Sequence, residues 1–161
     1  MRIIALACLL LALSTSAFAG VDDEFAAGVR GVPWRMTLDE LIAVRPGGDH
    51  YFSTALGEHC YIVADDEPLY GIPRPAMRMQ YHFGKDNRVT SIAIGVPYER
   101  REQLLSELLL SFGPYRKPRV YGTAIYYDWP PARRAQIGVR ASRDPQNGIL
   151  ELWIRVVDTR L

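Results

Sequence analysis

The sequence predicts an α+β fold, a two-layer sandwich of two helix-then-antiparallel-strands repeats with the helices packed on one face of the sheet. Three observations predict it. Apolar residues recur at helical spacing in two places, within 37–44 and within 98–112. Segments after each helix alternate apolar and polar residues with period two. Gly, Pro, Asn and Asp separate successive alternating segments, which read as consecutive hairpins. The repeat-like halves fall at about 31–96 and 97–161, in a single domain over 31–161.

The first helix has the clearest start. Thr37 suits an N-cap and Glu40 stands three residues on, which makes a capping box. Met36 and Leu41 can staple the entry, and Asp39 and Glu40 favour the positive end of the helix dipole. Trp34 just upstream can fix how the helix meets the sheet. The inward face is expected to carry Leu38, Leu41, Ile42 and Val44, and Pro46-Gly47-Gly48 stops the helix. Strands are expected over 50–54 and 59–64, then a loop over 65–74 rich in acidic residues, Pro and Gly. Met77, Met79, Tyr81 and Phe83 alternate with Arg78, Gln80 and His82, a half-buried strand that turns at 84–87 and returns over 88–95.

The second helix spans 98–112, with Leu104, Leu105, Leu108 and Phe112 inward and Leu109 widening the stripe. Gly113 fits the position after the helix and Pro114 forbids continuation. Three strands close the chain. Residues 122–129 put Thr123, Ile125, Tyr127 and Trp129 on one face; 134–142 put Ala135, Ile137, Val139 and Ala141 on one face; 149–158 put Leu150, Leu152, Ile154 and Val156 inward.

The chain begins as an export leader begins. Met1-Arg2 supplies positive charge, Ile3–Leu13 is an apolar run of about eleven residues, and Ala17-Phe18-Ala19 is an A-x-A cleavage site. The run is too short to span a bilayer, which takes roughly 20 apolar residues. The expectation is a signal peptide over 1–19, cleavage after Ala19, a flexible mature N-terminus over 20–30 and a periplasmic or secreted protein. Of 19 Lys and Arg and 18 Asp and Glu, only Arg2 lies in the leader, so the mature chain is balanced in charge. That argues against a nucleic-acid partner, and no later apolar run is long enough for an integral membrane segment. Cys8 leaves with the leader, so Cys60 is either buried or pairs between chains.

Several stretches carry a resemblance. Gly31-Val32-Pro33-Trp34 with Met36-Thr37-Leu38-Asp39-Glu40-Leu41, the hairpin of Tyr81-His82-Phe83 and Arg88–Ile92, and the helix exit Phe112-Gly113-Pro114 resemble small exported bacterial proteins of uncharacterised function. Trp129, Ile137-Gly138-Val139 and Leu150-Glu151-Leu152 are similar to their closing strands. More loosely, the arrangement is similar to the tandem repeats of β-lactamase inhibitory proteins and, in the Met-Thr helix start, to barrel-assembly lipoproteins. The chain departs from both: one cysteine cannot make the inhibitors' disulfides, and Gly20 stands where the lipoproteins carry a lipidated cysteine. No residue role is carried over from either.

The sequence holds no motif for a catalytic residue, a cofactor or a metal. None of His50, His59 and His82 makes a known pair spacing, and His59 and Cys60, as strand neighbours, point to opposite faces. Asp65-Asp66-Glu67 lacks the alternation of a calcium loop. The basic clusters Arg116-Lys117-Pro118-Arg119 and Arg133-Arg134 suit anionic lipid heads, cell-wall polymers or an acidic protein, or are simply solvated. The aromatic pattern is more informative. Trp153 lies opposite the inward row of its strand, flanked by Glu151 and Arg155, and Tyr126 and Arg140 fall on the matching rows of theirs. Trp, Tyr and Arg dominate interface hot spots.

The expected function is therefore a non-catalytic protein-binding module of the periplasm, inhibitor- or immunity-like or an envelope-assembly accessory. Its candidate surface is Trp153, Arg155, Glu151, Tyr126 and Arg140, and its partner is another envelope or exported protein, with a homodimer also compatible. If the second helix or a loop covered that face, these residues would be core instead. The alternative is a small enzyme or ligand-binding protein built around His59, Cys60 and His82.

Overall fold

A computed structural model describes residues 20–144, 146 and 148–157; the leader and cleavage site expected over 1–19 lie outside the described residues. The elements run α1 (Val21–Phe25), β1 (Gly28–Val29), β2 (Val32–Pro33), α2 (Leu38–Val44), β3 (Asp49–Ser53), β4 (Glu58–Ala64), β5 (Arg78–Phe83) and β6 (Val89–Gly95). A single 3₁₀ turn at Tyr98–Arg100 leads into α3 (Arg101–Phe112), followed by β7 (Arg119–Tyr121), β8 (Ala124–Asp128), β9 (Ala135–Ser142) and β10 (Leu150–Val156). The fold is mixed α+β and mostly antiparallel sheet. Strands β3 to β10 form one eight-stranded sheet in the order β3-β4-β5-β6-β10-β9-β8-β7, and β1 and β2 form a two-stranded ribbon.

The sheet is two four-strand meanders joined edge to edge. β6 pairs with β10 in antiparallel register from Gly95↔Glu151 to Ser91↔Arg155. Partners across a ladder share a face, so the registers sort the strands into two rows. One row holds Tyr61, Val63, Met79, Tyr81, Phe83, Ile92, Ile94, Ile137, Val139, Leu152 and Ile154, all buried. It shares one hydrophobic core with Leu41 of α2 and with Leu104, Leu105 and Leu108 of α3.

The capping box of α2 forms as its residues require. Thr37 N–H donates to Glu40 Oε2 (2.8 Å), and Glu40 N–H donates to Thr37 Oγ1 (3.4 Å). The helix is only seven residues long and buries Leu41 alone, with Leu38 partly covered. Ile42 and Val44, expected inward, are 39% and 51% exposed. The inward line continues from Leu41 to Arg45, whose Nη2 donates to Arg30 O and whose carbonyl accepts from Tyr61 Oη. In α3 the stripe narrows too, for Leu109 is 43% exposed and Phe112 packs at the margin against Phe25.

Residues 20–30, expected to be flexible, are helix and strand. Val21 and Phe25, one turn apart, bury their side chains in the core. Asp22 accepts the backbone N–H groups of Arg133, Arg134 and Ala135 at 3.0, 2.8 and 2.9 Å, which ties the start of the chain to β9. Trp34 is buried and donates its indole N–H to Phe25 O at 2.7 Å, so it anchors this segment to the fold.

The 65–74 loop is held by charge. Arg74, 1% exposed, donates to Asp65 Oδ2 (2.6 Å), Glu67 O (2.8 Å) and Gly95 O (2.6 Å). Arg30 bonds the same Asp65 carboxylate and reaches Pro68 O (2.7 Å). Asp65 is thus neutralised from two sides, and burial pulls the Arg74 pKa below its ordinary value while Asp65 resists that pull. Arg74→Ala is expected to cost about 3–5 kcal/mol in a urea-unfolding measurement, because it leaves a buried carboxylate short of its partner. A loss under about 1 kcal/mol would show that Arg30 alone suffices.

Candidate functional site

The second row of the sheet is where polar and aromatic side chains gather. Across β3, β4, β5, β6, β10 and β9 one line reads Tyr51, Cys60, His82, Ser91, Arg155 and Gln136. The next reads Asp49, Ile62, Gln80, Ala93, Trp153, Gly138 and Asp128. A third carries Gly95, Glu151, Arg140, Tyr126 and Arg119. Trp153, Arg155, Glu151, Tyr126 and Arg140 therefore stand on one face of adjoining strands. Arg155 is exposed and the other four are half-buried, and none of the five belongs to the core that takes up Leu104, Leu105 and Leu108.

Trp153 has a specific seat. Its neighbour across the ladder is Gly138, and a Cβ there would overlap the indole atoms Cζ2, Cε2 and Nε1. The ring lies over the glycine backbone as over a missing side chain, which is how a strand glycine is used where another group approaches closely. Arg155 closes the other side, its guanidinium carbon 5.5 Å from the indole centroid, a cation–π contact. The same guanidinium donates to Gln136 Oε1 at 2.9 and 2.5 Å, a neutral acceptor, and no carboxylate among the described residues pairs with it. Beside it, Arg140 Nη1 meets Glu151 Oε2 at 3.3 Å.

Two hollows lie on this face, the smaller one against the indole. A cavity of about 200 Å³ is lined by His82, Ser91, Ala93, Trp153 and Arg155. A larger groove of about 710 Å³ runs over Arg78, Gln80, Gly95 and Glu151 to Tyr98.

His59, Cys60 and His82 do not converge. Cys60 is buried on the same row as His82, with Sγ 3.5 Å from His82 Nδ1, whereas His59 lies on the opposite row beside His50. Glu58 Oε2 is 3.4 Å from the same Nδ1. One nitrogen thus serves both neighbours. A nucleophile–base–orienter arrangement gives each neighbour its own ring nitrogen, and that three-part arrangement is not formed here. Burial lowers the His82 pKa below its usual value, and Glu58 and then Glu151 oppose the shift. Among the described residues, no group of three or more His, Cys, Asp or Glu side chains converges as a metal centre, and no helix is long and apolar enough to cross a membrane.

The basic clusters divide. Arg119 is paired with Asp128 (3.0 and 2.5 Å), while the backbone of Arg133 and Arg134 serves Asp22. Reading the sequence missed the seat at Gly138 and the meeting of Cys60 with His82. An isolated glycine inside an alternating strand was a usable signal for the first. The second depends on β4–β5 register, which no local pattern reveals.

No family model, curated protein or solved structure matches this chain.

Gly138→Ala is expected to lift the indole off the sheet, red-shift the Trp153 fluorescence and cost about 1–3 kcal/mol through overpacking. An unchanged spectrum would show that the ring does not rest on Gly138. His82 binds its proton less readily folded than unfolded, so stability should fall as pH drops below about 6.5, by at most about 1.4 kcal/mol per pH unit for one proton. Chemical unfolding between about pH 7 and 5 should show a shallower fall for His82→Asn than for the parent.

Proposed function

We propose that the chain is an exported, non-catalytic protein-binding module that engages another envelope or exported protein through the second row of its sheet. The observation that carries this reading is the grouping of Trp153, Tyr126, Arg140, Glu151 and Arg155 on one face, outside the hydrophobic core. A half-buried indole seated on backbone is held in one pose, so little of its freedom is lost when a partner covers it. Tryptophan, tyrosine and arginine are the side chains that most often carry binding energy. Arg155, paired with no carboxylate among the described residues, favours a partner with acidic groups near an apolar contact.

The order helix, four strands, helix, four strands supports a reading as two repeats, with α2 and α3 in one layer over the core row. In that arrangement the other row is left as a broad, rigid surface, suited to an inhibitor- or immunity-type role or to an envelope-assembly accessory. Export rests on the charged start, apolar run and A-x-A site of residues 1–19.

The test is capture of partners from periplasmic extract by the mature protein, compared with Trp153→Ala and Arg140→Glu. One stoichiometric partner is expected for the parent, reduced at least tenfold by each substitution, with Trp153→Ala keeping a cooperative unfolding transition and losing about 1–2 kcal/mol. Collapse of the Trp153→Ala fold, or undiminished capture by both variants, would remove this face as the binding surface.

A further inference from the structure

The first row of the sheet ends differently from its middle. At β3 and β4 it carries His50, Phe52 and His59, and all three are exposed, because α2 is short and its buried side chain is Leu41 alone. His50 sits opposite Tyr61 and Phe52 opposite His59, which brings the two histidines together on the diagonal between strands. Their rings are stacked at 5.2 Å between centroids and 22° between planes, and Phe52 meets His59 edge-on at 5.1 Å. His59 Nδ1 and His50 Nε2 stand 3.2 Å apart.

We propose that His50 and His59 form an open two-histidine site for a divalent transition-metal ion of the zinc, nickel or copper class. Two imidazole nitrogens bound to one ion at about 2.0–2.1 Å in tetrahedral geometry are separated by about 3.4 Å. The 3.2 Å between these two, which an N–H···N hydrogen bond spans while no ion is bound, is close to that bite, and both rings are exposed, so rotation of the rings can turn their lone pairs toward a shared point. Imidazole suits these metals, whereas magnesium and calcium prefer carboxylates, and among the described residues none joins the pair to make a group of three. Asp49, Glu58 and Cys60 belong to the opposite row, which keeps these three away from the pair. The remaining coordination positions face solvent and are completed by water, as in a site built to keep positions open rather than to staple a fold.

The probe is Ni²⁺ added to the mature protein, followed by calorimetry and by NMR of the histidine rings. One ion per chain is expected, reversed by a chelator, with paramagnetic broadening of the His50 and His59 ring signals and sparing of His82. Affinity should fall at least tenfold in His50→Ala and in His59→Ala and stay unchanged in His82→Asn. The ring spectra of the parent need no variant, so they decide the matter even if a substitution perturbs folding. Absence of binding, broadening centred on His82, unchanged affinity in both alanine variants, or half an ion per chain with dimer formation would each overturn the assignment.

Discussion

The β6–β10 ladder is the interaction on which the rest depends. Without it the chain would be two four-strand meanders, each with an extra unpaired edge. With it, Ile92 and Ile94 align with Ile154 and Leu152 in one core row, and Ser91 and Ala93 align with Arg155 and Trp153 on the other side. The same register therefore sets the core and the candidate surface together. A slip of one residue would send Trp153 into the core and Ile154 out of it. The alternation of β10 specifies that register strongly, with Leu150, Leu152, Ile154 and Val156 buried and Glu151 and Trp153 only half so.

Polar groups then decide how loops and ends attach to this frame. Asp65, Arg74 and Arg30 tie the 65–74 loop to Gly95 at the end of β6 and to the β1–β2 ribbon. Arg74 is held by four acceptors, one of them a carboxylate, so its burial is tolerated only while all of them are in place. His82, Cys60 and Glu58 make a smaller polar seam across β4 and β5, with the imidazole biased toward its neutral form.

Where the chemistry was local, the residues announced it. The capping box at Thr37 and Glu40, the Gly113 exit and the alternation of β5, β6, β9 and β10 could all be read from neighbours in sequence. What could not be read came from distance. The first helix forms because Val21 and Phe25 find a core and Asp22 finds three N–H groups of β9, none visible in a short acidic stretch. β7 is three exposed residues whose pairing with β8 makes them a strand. Ile42 and Val44 look inward by composition, yet two turns of helix offer the core only one full line of contact. That Trp153, Glu151 and Arg155 share a face was legible because period two sorts faces, while the pairing of His50 with His59 needed the β3–β4 register.

The clasp at Asp22 also bears on timing. Its acceptor oxygens bind N–H groups 111 to 113 residues further along the chain. During synthesis the first meander can pair as it emerges, since its hairpins are local. The Asp22 clasp cannot close until residues 133–135 exist, and the central ladder waits for β10, the last strand described. Both contacts therefore depend on residues made late, the clasp on 133–135 and the ladder on 151–155. A nascent chain stalled before residue 133 would hold its first meander while Asp22 still lacked its three N–H partners.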